Sequence, residues 1–285
     1  MTLHAPNSRN SVTTTHPGRR ILLLYSGLAL LFIGCVTAHA QISVGVTPIR
    51  AEHQVQAGQS KTDRLIVENK SPKPLHMKVS VADWYLTKDG DPVFVKRGKF
   101  SEFSMSDWIE VNPAEFDLSS DGRQILRYTV EVPPATPAGG YRAAIMVESV
   151  PEIAADRAAH VTYLTARIGV VIYDQVGTVP TQAEITDQKI VADPENPENL
   201  AVRLTIANGG LTHFRFKGEC RILDNGGGVA QSLTVPEAVI LPGTERFVLL
   251  KLKEAPPPGS LTIVSRLDVG LKELLEAKTH VTRNP

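Results

Sequence analysis

From Ile42 onward, short runs of alternating apolar and polar residues recur about every ten positions, separated by turn residues. That pattern predicts half-buried β-strands joined by short connections, as in a sandwich or barrel. In order, the first half offers ISVGVTPIR, TDRLIVENK, LHMKVSVADWYL, DPVFVK, DWIEVNP, RQILRYTVEVP, YRAAIMVESV and HVTYLTARIGVVIYD. After the link QVGTVP (175–180) come EITDQKIVA, LAVRLTIAN, FRFKGECRIL, GVAQSLTV, RFVLLKLK, LTIVSRLDV and LEAKTHVT. Each series holds enough strands for one immunoglobulin-like antiparallel sandwich. The expected fold is therefore all-β, with two such domains at 42–174 and 181–283. KELLEAK (272–278) is a short helical candidate whose setting favours a strand.

The breaks between runs carry turn chemistry. Asp89-Gly90 suits a tight hairpin. Pro72 cannot continue a central ladder, and Pro133, Pro134 and Pro137 end the RQILRYTVEV strand in the same way. Within that strand Ile125, Tyr128, Val130 and Val132 are the expected core positions. One run raises a question of its own. HVTYLTARIGVVIYD is apolar enough for a core strand, yet Arg167 lies in its middle, and a buried cation without a partner is costly.

The first 40 residues read differently. A polar stretch without acids leads to Arg19-Arg20, then to ILLLYSGLALLFIG, then to Ala38-His39-Ala40. This is the pattern of a secretory signal peptide cleaved after Ala40. A lipid-acceptor reading of Cys35 and a twin-arginine reading of Arg19-Arg20 stay open beside it. Without this leader the chain has 27 basic and 30 acidic residues, a net −3. Such a balance argues against nucleic acid as a partner. Cys220 is then the single cysteine, so no internal disulfide forms, and its expected place is the core.

Candidates for catalysis or metal binding are few. His53, His76, His160, His213 and His280 stand at no metal-ligand spacing. No nucleophile elbow or phosphate loop occurs; DNGGG (224–228) lies between two strand patterns and reads as a hairpin turn. DPENPEN (193–199) is acidic, but its prolines and spacing favour a solvated loop over a calcium site. Trp84, Trp108, Tyr128 and Tyr141 fit a sandwich core, with Tyr141 at a packed corner after Gly139-Gly140. Composition and motifs together favour a non-enzymatic protein.

The order of runs in 42–174 carries a resemblance. ISVGVTPIR ends in Arg50; LIVENKS follows; then come SDWIEVNPAEFDLSSDGRQILRYTVEVPPATPAGGYRAAIMVE and HVTYLTARIGVVIYDQ. This ordered set resembles the amino-terminal domain of periplasmic pilus-assembly chaperones. Residues 181–283 resemble the second domain only as another Ig-like sandwich. The resemblance implies a periplasmic chaperone that binds a pilus or surface-fibre subunit, with an outer-membrane usher open as a second partner. It implies no cofactor and no small-molecule substrate. The last strand of the first domain would pair with the subunit by β-augmentation. His160, Thr162, Leu164 and Ala166 would form the facing row. Two cations would hold the subunit's terminal carboxylate. Arg50 matches the first; the second aligns at Gly169, and Arg167, two residues earlier on the same face, is its substitute. Arg50 and Arg167 would then approach one another around a shared carboxylate. The alternative is a structural or adhesive Ig-like surface protein, anchored to membrane if Cys35 is lipidated.

The leader reading has a direct test. Amino-terminal sequencing of exported material should give Gln41 as the first residue, whereas a chain starting at a lipid-modified Cys35 would establish the anchored form.

Overall fold

RQILRYTVE forms a strand (Arg123–Glu131) that buries Leu126, Tyr128 and Val130 and turns Arg123, Ile125 and Arg127 outward. Strict alternation starts at Leu126. Ile125, expected in the core, is 46% exposed because Leu126 takes the inward position and period two leaves its neighbour outside. The computed structural model describes residues 42–99, 102–151 and 164–283. The leader, Cys35, His160 and Thr162 lie outside these.

The fold is all-β, built as two Ig-like sandwiches. In the first, β1 (Val44–Thr47), β3 (Ser60–Asn69), β8 (Arg123–Glu131) and β6 (Ile109–Asn112) form one sheet in that order. The other sheet runs β2 (Arg50–Val55), β10 (Arg167–Val176), β9 (Gly139–Val150), β4 (Leu75–Leu86), β5 (Pro92–Lys96), with β7 (Glu115–Leu118) also beside β4. The second sandwich pairs β11 (Ala183–Ala192), β12 (Leu200–Asn208) and β15 (Glu245–Lys251) in one sheet. Its other sheet is β14 (Val229–Ile240), β13 (Phe214–Leu223), β16 (Gly259–Asp268) and β17 (Leu275–Arg283). The carboxy-terminal part of KELLEAK enters β17, and DNGGG closes the β13–β14 hairpin with Asp224 Oδ1 accepting from the Gly226 and Gly228 amides. Cys220 is fully buried in the second core.

The first run differs from its expected form. Arg50 does not end the opening strand; it begins β2, which lies in the opposite sheet. Pro48 has no amide to continue the β1 ladder, so the chain leaves one sheet after Thr47 and joins the other. There β2 lies parallel to β10, with Arg50 opposite Val171 and Val55 opposite Val176.

A central strand covered on both faces is expected to be apolar throughout. The stretch AAIMV in β9 has this character. Ala143, Ile145 and Val147 enter the first core, while Ala144 and Met146 join a second cluster with Ala82, Trp84, Tyr173 and Leu241. Leu241 belongs to the second sandwich, so this outer cluster packs the two sandwiches together. Asn69 and Asn208 act alike at the ends of β3 and β12. Asn69 Nδ2 donates to the carbonyls of Lys73, Leu118 and Ser119, and Asn208 Nδ2 to those of Thr212 and Ile240. Both side chains are almost fully buried, and each satisfies backbone acceptors that a loop would otherwise leave unpaired.

A buried ion pair fastens β2 to β10. His53 stands opposite Asp174, with Nδ1 2.8 Å from Asp174 Oδ1 and Nε2 3.3 Å from Asp63 Oδ2. The Asp174 side chain is wholly buried and that of His53 is 9% exposed. The Asp174 hydrogen bond lifts the His53 pKa above its usual value, although burial opposes it. Removing one member of a buried pair strands the other charge. His53→Ala should therefore cost about 3 kcal/mol in chemical denaturation below neutral pH. Because the folded pKa is raised, the protonated histidine stabilises fully below about pH 6.5, and this contribution fades as pH rises through the folded value. The stability gap between wild type and His53→Gln should shrink as pH rises above 6.5; a constant gap would exclude the charged pair.

Candidate functional site

The carboxy-terminal strand of the first sandwich serves two interiors. Val170, Ile172 and Val176 of β10 enter the first core, with Ile168 packed against it. The alternate positions Arg167, Gly169, Val171, Tyr173 and Gln175 therefore lie on the opposite face. That face meets the second sandwich: Tyr173 shares a cluster with Leu241, and its ring lies 4.1 Å from that of His213. Cross-strand register adds Arg50 and Glu52 from β2, and Arg142, Ala144, Met146 and Glu148 from β9. This is the cleft face.

Several contacts hold the cleft walls. The Gly140 amide donates to the Leu211 carbonyl at 2.6 Å. A β-carbon at Gly140 would lie 2.7 Å from Thr212 Oγ1 and 2.8 Å from its Cα, so only glycine allows this approach. The β4–β5 hairpin docks at a second point, where the Phe247 amide donates to the Lys88 carbonyl at 2.7 Å and Lys88 pairs with Glu245 at 3.0 Å.

Charge concentrates on Glu52. Its Oε1 lies 3.3 Å from Arg50 Nε and 2.9 Å from Arg215 Nη2; its Oε2 lies 3.8 Å from His213 Nε2. Burial raises the Glu52 pKa, but the Arg215 hydrogen bond and the surrounding cations outweigh this and hold it below the usual value. Burial pulls His213 below its usual value, against the attraction of Glu52. Burial likewise pushes the Tyr173 phenol up to about 12, so it stays protonated at neutral pH. Farther along, Arg142 Nε donates to the Trp84 carbonyl at 3.2 Å beside a shallow surface dent lined by Asp83, Trp84, Glu102, Ser104 and Arg142. Burial lowers the Arg142 pKa, with Asp83 and Glu102 acting in the other direction.

The expected site residues are only partly assembled. Arg50 and Arg167 do share the cleft face, but Arg167 lies four residues before Val171, the register mate of Arg50. That is about 13 Å along the strand. Each guanidinium turns to its own acid, Arg50 to Glu52 at 3.3 Å and Arg167 to Glu148 at 3.6 Å. The expected mutual approach of the two arginines is therefore corrected: the parallel register of β2 sets Arg50 opposite the middle of β10, whereas Arg167 is the first residue of that strand. At Gly169, where a second cation aligns in the resemblance, a β-carbon would sit 2.5 Å from Phe94 Cζ. An aromatic ring fills that place.

The closing strand is also shorter than expected. It begins at Arg167; Leu164 and Ala166 precede it outside regular strand structure. Leu164 is 59% exposed, and Ala166 exchanges hydrogen bonds with Ser149. The Val171 amide donates toward β2, to the Ile49 carbonyl, so odd positions point their backbone groups to that side. Because β2 starts at Arg50, the N–H and C=O groups of Arg167 and Gly169 face an edge with no strand beside it among the described residues. Ile49, 68% exposed, flanks this edge.

Sequence reasoning missed Glu52, His213, Arg215 and Phe94. Glu52 stands two residues from Arg50, and His213 and Arg215 flank buried Phe214, so period two places each set on one face. Which faces meet is a tertiary fact.

No protein-family model matches the chain, and no curated protein does. Solved structures do resemble it. The class 5 fimbriae chaperone CfaA is 13% identical, covering 85% of this chain and 100% of its own, with a TM-score of 0.44. The Pseudomonas aeruginosa CupB2 chaperone is 12% identical over 84% of this chain and 100% of its own, with a TM-score of 0.40. The E. coli chaperone DraB is 15% identical over 85% and 97%, with a TM-score of 0.42.

The contact of Phe94 with Gly169 is open to mutation. Gly169→Ala should destabilise the protein by about 1–3 kcal/mol through overpacking. Phe94→Leu in the same chain should recover part of that loss, measured as a double-mutant cycle in denaturant; purely additive effects would show that the ring is not the obstacle.

Proposed function

We propose that the protein is a non-enzymatic chaperone for subunits of a pilus or other surface fibre, acting in the periplasm after export. It lends the free edge of β10 to a subunit that lacks a strand, and it anchors the subunit's terminal carboxylate in the cleft at Arg50. The observation that carries this reading is the half-open strand. β10 is paired with β9 along its whole length but with β2 only from Val171 onward. Backbone groups at such an edge are a template for an added strand. Exposed Ile49 and Leu164 offer apolar contact beside it. Arg167 would flank the added strand as a separate cation, and the row His160, Thr162, Leu164 and Ala166 would extend the pairing. Binding energy comes from completing the subunit's own sandwich, so no nucleotide or other cofactor is required.

The structural or adhesive reading draws support from one feature, the ring of Phe94 where a second anchoring cation is expected.

Affinity capture from periplasmic extract, with mass spectrometry of bound chains, separates the two. A fibre subunit should co-purify with wild type. Arg50→Ala should abolish that capture with folding nearly intact. Arg167→Pro removes an amide that faces the open edge, leaves the β9 ladder untouched, and should weaken capture about fivefold relative to Arg167→Ala. Failure to recover any subunit, or equal capture by the proline variant, would reject strand lending.

A further inference from the structure

Two histidines of the first sandwich each lie between two carboxylates. His53 of β2 has Nδ1 2.8 Å from Asp174 Oδ1 on β10 and Nε2 3.3 Å from Asp63 Oδ2 on β3. His76 of β4 has Nδ1 2.7 Å from Asp117 Oδ1 and Nε2 2.7 Å from Glu115 Oε1, both on β7. An ionised carboxylate only accepts, so both ring nitrogens must donate, and only the imidazolium carries two N–H groups. A neutral ring in either place turns a lone pair toward an acid. The His76 side chain is 42% exposed, and solvent softens that change. His53 has no such relief. The Asp174 side chain is wholly buried, and its Oδ2 has no hydrogen-bond partner. The other groups around the ring are Asp63, itself acidic with Lys61 acting on it, and Tyr128 on β8. Burial and the two aspartates keep the Tyr128 phenol protonated, so neither group can replace the charge that His53 gives Asp174.

The strand that carries His53 is lightly held. β2 has six residues, ends its sheet, and pairs with β10 alone. Its inward positions are Ala51, His53 and Val55, so the middle anchor is the one that titrates. Its outward face adds Glu52 beside Arg215 and His213, and Gln54 Nε2 donating to the Gly177 carbonyl at 3.2 Å. A short edge strand with few buried apolar contacts opens before the core does. We propose that protonated His53 latches β2 onto β10, and that loss of this proton lets β2 part locally and bares the edge of β10 from Val171 to Gln175. The free edge would then run on from Arg167 and Gly169 through Val171, Tyr173 and Gln175. Water would reach Asp174, which removes the cost of a buried charge without a partner. The sign follows from His53 itself, since the Asp174 hydrogen bond raises its pKa against burial. The latch is therefore complete below about pH 6.5 and fails as pH rises through the raised value. The inference rests on the chaperone reading only for its use, a longer edge offered to a subunit at higher pH.

The test follows amide hydrogen exchange by NMR in the full exported chain, from about pH 6 to about pH 9, with each rate divided by that of an unstructured peptide at the same pH. Protection of the Val171, Tyr173 and Gln175 amides, which turn toward β2, should fall about tenfold over this range. The Ile172 and Asp174 amides, which turn toward β9, should keep theirs. His53→Gln should show the lower protection at every pH, with no step. A step that persists in His53→Gln would assign it to another group, with His213 beside Glu52 the next to replace, and would overturn the proposal. Asp63→Asn, altered at a side chain 43% exposed, tests the clamp without emptying the buried position. It should move the wild-type midpoint to lower pH, and an unmoved midpoint would overturn the clamp. His76→Gln should leave the β10 step unchanged. Flat protection in wild type, or an equal fall in the Ile172 and Asp174 amides, would reject local release of β2. None of these readouts needs a subunit, so failure of capture would reject the chaperone reading and leave the latch standing.

Discussion

The parallel pairing of β2 with β10 is the interaction on which the rest of the site depends. It sets Arg50 opposite Val171 and Glu52 opposite Tyr173, and so brings both onto the cleft face. It also begins at Arg50, which leaves the preceding half of β10 without a neighbour on that side. His53 and Asp174 fasten this pairing from within. A slip of one residue would send Glu52 into the first core and His53 into the cleft, and neither charge would find its partner. The buried pair thus fits only the observed register.

The cleft is a packed junction. Apolar contact among Trp84, Tyr173 and Leu241, the close backbone approach at Gly140, and the hairpin docked on Phe247 fix the walls at separate points. A junction with several spaced contacts resists hinge motion more than one contact of equal area. The polar group around Glu52 lies at the rim of this junction, where half-exposed ion pairs contribute little to stability.

Phe94 and Gly169 show a similar trade. With an aromatic ring lying over the glycine, the stretch of cleft face between Arg167 and Arg50 is apolar, with Arg167 near Glu148 on one side and Arg50 near Glu52 on the other. A chain lying along β10 would meet charge, then apolar surface, then charge.

Much of this was legible in the chain itself. Period-two alternation determined the β-class and the inward positions Tyr128, Val130 and Val132, and Pro72, Pro133 and the Asp89-Gly90 pair marked turns through the dihedral and hydrogen-bonding limits of those residues. What the alternation could not specify was partnership. It put Arg50 and Arg167 on consistent faces of their own strands, yet said nothing about the four-residue offset between them, because register is set by pairing between distant segments. It placed Ile125 inside, since near the start of a strand one apolar residue beside another leaves parity open until a facing sheet chooses Leu126. Glu52, His213 and Arg215 became one group only when the two sandwiches met. The sequence determined which residues face the same way along each strand; the tertiary structure decided which of those faces meet, because side-chain direction is a local property of the backbone and contact is not.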